Sequence, residues 1–333
     1  MHIKPFLLPI FLCFIHAIGA QTTVSRVTFP IDEQQTTADL AKAGIDLSHG
    51  HGKLGSFFTT EALDYELATF DQMGIRYTID IPDLSKHRKE ENLISRGGGL
   101  LECQEDFNDE DVPTNFELGN IGGFFSLPDI LDQLDLMNYY YPNLISVRKP
   151  IGNLKTWENN SIYWVRISDH PETDEDEPEV LYTGLLHARE LISVSQNIFY
   201  MWYLLENYEK DPMVKQILDH TELYFVPVAN PDGLNYNVQG YDQIEKKFNS
   251  FQRKNLRDND GDGKFDPKYD GVDLNRNFGA FWGYDDVGSS PNESAQTYRG
   301  PSPFSEPETQ AIRDLCNAHD FKLALNYHSY GNL

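Results

Sequence analysis

From Ser126 onward the apolar positions switch repeatedly between helical and strand spacing, and the order of the switches predicts the architecture. Leu127 to Tyr141 carries an amphipathic helical pattern stopped by Pro142. Ile162 to Ile167 reads as a strand. Val180 to Leu186 reads as a strand buried on both faces, after the acidic loop Glu172 to Glu179. Leu191 to Tyr208 predicts a long helix, and Glu222 to Val228 another strand, closed by a turn at Asn230-Pro231-Asp232-Gly233. Glu306 to His319 then predicts a helix, and Lys322 to Tyr327 a last strand. Strands alternating with helices indicate an α/β fold, a mixed sheet flanked by helices, over residues 116–333.

The first part of the chain has a different rhythm. Val24 to Ile31 alternates as a strand, Thr37 to Ala43 is helix-like, and Gly50 and Gly52 mark a turn. Glu61 to Met73 places Leu63, Leu67, Phe70 and Met73 at helical spacing, and Ile75 to Ile81 alternates as a strand with one buried face. A small α+β domain over residues 21–95 fits this order. Residues 96–115, with Gly97-Gly98-Gly99 and the acidic stretch Glu105 to Asp111, have no periodicity and read as a linker.

Composition narrows the classes. The 333 residues are 40% hydrophobic and 13% aromatic, enough for a sizeable core. A net charge of -25 repels phosphates and argues against nucleic acid as a partner. Residues 1–20 read as a secretory signal peptide, with Lys4, the apolar run Phe6 to Ile15, and small residues at Ala17-Ile18-Gly19-Ala20. That run is well short of the roughly 20 residues of a membrane helix. A secreted product with no membrane span, acting as a monomer, is the expectation. Cys13 leaves with the signal. Export permits a bridge between Cys103 and Cys316, although two separate thiols are the favoured reading. Asn159-Asn160-Ser161 and Asn292-Glu293-Ser294 are glycosylation sequons.

The chemistry sits in the second half. His187-Ala188-Arg189-Glu190 puts an imidazole and a carboxylate three residues apart where a buried strand meets a helix, the end of an α/β sheet that carries sites. His328 closes the last strand. Two histidines, a glutamate and a water make a zinc site of the catalytic kind. Arg253, in Arg253-Lys254-Asn255, supplies a permanent cation, and Asn275-Arg276 pairs an amide with a planar fork suited to a carboxylate. Each has a bland reading alone: a packed histidine, a helix-start carboxylate, an exposed arginine. Their joint occurrence in this order does not. Asp258, Asp260 and Asp262 imitate the start of a calcium loop, but Tyr269 stands where a bidentate Glu belongs, and an ordinary Asp/Gly turn is expected.

With these segments, and with Asn-Pro-Asp-Gly at 230–233, Gly-Val-Asp-Leu-Asn-Arg-Asn-Phe at 271–278 and His-Ser-Tyr at 328–330, the chain resembles the zinc metallocarboxypeptidases of the carboxypeptidase A/B and bacterial carboxypeptidase T type over residues 116–333. The resemblance implies that His187, Glu190 and His328 bind one Zn2+ and that Arg253 polarises the scissile carbonyl. It implies that Asn275 and Arg276 grip a peptide's terminal carboxylate while Arg189 lines the neighbouring subsite. The family's proton-transfer glutamate lies on a later strand, beyond Leu333, so the expected chain is an incomplete copy of an active enzyme. Against it stand a non-catalytic module that binds peptide C-termini, and a zinc hydrolase of N-acyl amino acids. The small N-terminal domain reads as an activation segment, cut near Arg88, Lys89 or Arg96, ahead of a retained accessory domain.

Overall fold

A computed structural model describes residues 112–329 throughout, and residues 23–87 apart from 32–38, 41–42, 44, 46–49, 54 and 85. The signal segment, most of Thr37 to Ala43, the linker up to residue 111, Cys103 and Tyr330 lie outside the described residues.

The N-terminal part is a four-stranded antiparallel sheet in the order β2-β3-β1-β4, with β1 at Val24–Pro30, β2 at His51–Lys53, β3 at Phe57–Leu63 and β4 at Thr78–Ile81. Helix α1, Asp64–Gln72, packs Phe70 against Val27, Phe29 and Leu40. Three expectations are corrected here. Phe57–Leu63 pairs with the whole of β1 and is strand, so the helix starts only at Asp64, where Glu66 accepts the Leu63 N–H at 2.8 Å. Gly50 and Gly52 are not turn residues. Gly52 lies inside β2, where a Cβ would meet the Phe57 carbonyl oxygen at 2.3 Å, so glycine serves a close approach of strands. The strand after Ile75 covers only Thr78–Ile81, at a sheet edge with Thr78, Ile79 and Asp80 exposed. Its apolar partners Ile75 and Tyr77 reach the core before pairing begins.

The larger part holds a five-stranded sheet ordered β11-β7-β8-β6-β5, from β5 (Lys149–Pro150), β6 (Tyr163–Ile167), β7 (Glu179–Gly184), β8 (Glu222–Val226) and β11 (Phe321–Tyr327). β7 runs parallel to β8 and β11, while β6 is antiparallel to β8, so the sheet is mixed. Two further strands, β9 (Tyr241–Asp242) and β10 (Lys247–Phe248), form a separate hairpin. Strand β8 is buried throughout and sorts its side chains by alternation. Leu223 and Phe225 join Ile130, Leu134 and Met137 of α2 (Leu127–Tyr140) and Val194, Ile198, Met201 and Trp202 of α3 (Ile192–Asn207). Tyr224 and Val226 face the other way, onto Ala311, Ile312 and Leu315 of α6 (Pro307–Ala318). Helices therefore cover both faces, as the alternating pattern predicts.

Two helices are missing from the sequence reading, α4 (Pro212–Leu218) and α5 (Pro231–Gln239). Both are short and begin with proline. Asn230 is an N-cap, its side chain accepting the Gly233 N–H at 3.0 Å, so the predicted closing turn is the start of a helix.

Candidate metal centre and active site

Local backbone brings the ligands together. Beyond β7 the fully buried Leu185 adopts φ 55°, a conformation that costs a residue with a Cβ about 1–3 kcal/mol and persists only when neighbours impose it. Ser193 at the start of α3 imposes it: its Oγ accepts the Leu185 N–H at 3.1 Å and donates to the Glu190 carbonyl at 2.7 Å. The turn so fastened carries His187 and Glu190, both buried. In the parallel register Tyr327 of β11 lies opposite Gly184 of β7, so the next residue, His328, emerges beside the same turn.

The result is a compact set of donors. His187 Nδ1 lies 2.6 Å from Glu190 Oε1, His328 Nδ1 lies 2.9 Å from Glu190 Oε2, and the two Nδ1 atoms are 3.2 Å apart. The Ser329 N–H donates to Glu190 Oε2 at 3.1 Å and fixes that carboxylate. A tetrahedral zinc with bonds of about 2.0–2.2 Å separates its ligand atoms by roughly 3.3–3.5 Å, so these side chains need move only a few tenths of an ångström. His187 and Glu190 are closed off while the His328 side chain stays 29% exposed, which leaves one side for water or substrate. Among the described residues this set fits a catalytic zinc ion in donor type and spacing.

Behind it lies Asp273. The His187 Nε2–H donates to Asp273 Oδ1 at 3.1 Å, a contact that leaves the Nδ1 lone pair for a metal. Asp273 Oδ2 accepts from Arg253 Nη2 at 2.9 Å and Nε at 3.2 Å. Burial alone would raise the Asp273 carboxyl, but Arg253 and His187 outweigh it and hold the group far below the usual carboxylate range. Arg253 is fully buried, with Nη1 3.3 Å from His187 Nδ1 and 3.9 Å from Glu190 Oε1, so its cation faces the ligand set. Neighbouring Lys254 is buried too. Burial pushes its ammonium down to about 8, against the pull of Asp273, Asp270 and Glu293, and its Nζ donates to the Glu293 carbonyl.

Asn275 and Arg276 sit on a 3-10 turn, Leu274–Arg276, capped by Asp273. Asn275 Nδ2 reaches to 3.4 Å from His328 Nε2, on the half-buried side of the site. Arg276 Nε donates to the Gly288 carbonyl at 2.6 Å. Arg189 lines a cavity of about 200 Å³ with Phe124, Ile192, Phe248, Phe251 and Ser329. All seven predicted site residues therefore lie around one region. Asp258, Asp260 and Asp262 lie elsewhere, where Asp258 accepts the Gly261 and Gly263 amides and Asp262 accepts the Lys264 amide. Cys316 is a free, exposed thiol on α6.

The sequence profile of the zinc carboxypeptidases (Peptidase_M14) matches residues 130–333, more than half of the chain. The chain belongs to the zinc carboxypeptidase family. Mouse (Mus musculus) carboxypeptidase A4 is 28% identical over 261 residues, 78% of this chain and 54% of that protein. A zinc carboxypeptidase of Saccharothrix mutabilis subsp. capreolus is 28% identical over 264 residues, 79% of this chain and 53% of that protein. The chain thus spans about half the length of these curated relatives. In fold it is similar to the carboxypeptidase A of Helicoverpa armigera, with a TM-score of 0.68 at 22% identity, covering 94% of this chain and 71% of that one.

Within this family frame, three positions carry weight that sequence reasoning did not assign. Asp273 stands inside a recognised motif, yet an aspartate before Asn-Arg reads equally as a turn cap. Ser193 looks like any early helix residue until the Leu185 conformation is known. Asn277 looks like a third member of the Asn-Arg-Asn anchor, but its buried amide donates to the carbonyls of Arg299 and Ser302 and accepts from the Glu306 N–H and Thr309 hydroxyl. It docks helix α6.

Proposed function

We propose that the chain is the metal-binding and carbonyl-polarising part of a secreted zinc metallocarboxypeptidase that hydrolyses the last peptide bond of a peptide or protein. The observation that carries this reading is the donor set His187 Nδ1, Glu190 and His328 Nδ1 with the Arg253 guanidinium beside it. A zinc ion held by His187, Glu190 and His328 would supply a Lewis acid able to activate water and polarise a carbonyl. Arg253 is fixed in advance by Asp273, so its charge meets a developing oxyanion without reorganisation. Asn275 and Arg276 bind the substrate's terminal carboxylate, and Arg189 lines the adjoining subsite. A divalent ion set against the single carboxylate ligand Glu190 would leave the site positive, which favours an anionic substrate end over an amidated one.

The carboxylates touching the ligand set are already committed, Glu190 as a ligand and Asp273 to His187 and Arg253. Neither of these two carboxylates is assigned the proton-transfer step, which is worth about 10²–10⁴-fold in rate. Peptidase kinetics test the anchor. Arg276→Ala should raise KM at least tenfold for peptides with a free C-terminus and leave the KM of amidated peptides unchanged. An equal change for both removes Arg276 from the anchoring role.

The N-terminal sheet is read as an activation segment. Supporting this, the Tyr65 hydroxyl of α1 accepts from the side chain of Gln296 in the larger part. Burial and Glu66 push the Tyr65 phenol well up while Arg189 pulls it down, so the ring lies within the field of a proposed subsite residue.

A further inference from the structure

Three carboxyl groups are buried together where α6 meets α5 and the segment after Arg253, and they are not equally served. Asp232 of α5 accepts from the Thr156 hydroxyl, the Asn160 amide and the Glu158 N–H. Glu306, at the N-cap of α6, accepts from Trp157 Nε1, the Ser305 hydroxyl, the Asn255 amide and the Arg257 guanidinium. Each of these carboxylates is met by three or four donors. Glu308, in the first turn of the helix and equally inaccessible, shares the same Asn255 amide at 3.1 Å through Oε2, and its Oε1 has no hydrogen-bond partner. A charged carboxylate so placed bears an uncompensated desolvation cost, and a neutral acid does not.

We propose that Glu308 is a positioning residue that works as a neutral carboxylic acid, keeping α6 seated on Asn255 and, through Asn255, steadying the segments that carry Arg253 and Asp273. The connection is short. Asn255 Oδ1 accepts the Val272 N–H at 2.8 Å, and the Asn255 N–H donates to the Val272 carbonyl at 3.1 Å. Val272 precedes Asp273, and Asn255 follows Arg253 by two residues. Loss of the Glu308 proton puts a second charge on one amide and next to Glu306 and Asp232. The charged and titratable groups facing this corner are Glu306 at the helix start and Asp232 from α5, with Arg257 and Tyr298 on the far side of Glu306. Burial first, then Glu306, raises the Glu308 carboxyl to about 8, despite the Asn255 amide and its own N–H.

The sign follows from linkage. The folded-state value exceeds the unfolded one, so the contribution to stability is complete below about 4.5 and is lost as pH rises towards 8. The folding equilibrium should lose up to about tenfold per pH unit across that window from this group. Glu308→Gln keeps the shape and the neutrality. The experiment measures chemical denaturation of the whole chain from pH 5 to 9, together with amide exchange at Val272 and Asp273 corrected for intrinsic rates. The parent should lose stability towards pH 8 and lose protection at both amides above pH 8. Glu308→Gln should fold, remove the Glu308 share of that slope and hold the protection flat. Glu306→Gln, by contrast, should destabilise at every pH. Parallel pH curves for parent and Glu308→Gln, unchanged exchange above pH 8, or a Glu308→Gln chain unfolded at pH 6 would each overturn the proposal.

Discussion

Asp273 holds His187 through one carboxylate oxygen and Arg253 through the other, so one buried side chain sets both a ligand and the cation beside it. Replacing it separates orientation from ligation. In Asp273→Asn the buried charge that faces His187 Nε2 and the Arg253 fork is removed, and zinc affinity should fall by about 10–100-fold without loss of any ligand. A competition titration against a chromophoric chelator measures this directly, and an unchanged affinity would show that Asp273 does not orient His187. Residues 187, 190, 253 and 328, which the fold brings together, stood out in the sequence because metal and oxyanion chemistry needs few kinds of side chain. The role of Asp273 was not, because a carboxylate that supports others has no chemical signature of its own. Only its distances to His187 and Arg253 reveal it.

At the scale of elements, the site depends on how three segments are hung on the sheet. The parallel register of β11 on β7 delivers His328, the strained turn at Leu185 delivers His187 and Glu190, and the segment from Asp273 to Asn277 is tied to α6. Asn277→Ala leaves the buried Glu306 N–H, the Thr309 hydroxyl and two carbonyls without that partner. Stability should drop by about 3 kcal/mol or more. Equilibrium denaturation checks it, and a loss below about 1 kcal/mol would mean that water or a neighbour replaces the amide. The long periodic elements, α2, α3, α6 and the strands β6, β7, β8 and β11, were readable from hydrophobic spacing. The short helices α4 and α5 were not, since seven and nine residues beginning in proline carry too few apolar repeats to distinguish a helix from a turn. In the N-terminal sheet, Leu63 fitted the helical spacing of Leu67 and Phe70 while belonging to β3, and tertiary pairing with β1 decided the matter.

At the scale of the whole molecule, the contact between Tyr65 and Gln296 ties α1 of the N-terminal sheet to the segment before α6 in the larger part. If that first sheet is an activation segment, the secreted product should be trimmed within the basic stretch near Arg88, Lys89 or Arg96. N-terminal sequencing would then find a mature start in or after that stretch. A start at Gln21 alone would exclude this route. Everything at this scale rests on the metal. X-ray absorption at the zinc edge, with metal content measured on the purified whole chain, addresses it most directly. The predicted result is one zinc per chain in a shell of two imidazoles, one carboxylate and a water oxygen, abolished in His187→Ala. Sulfur in that shell, or full zinc content in His187→Ala, would contradict the account.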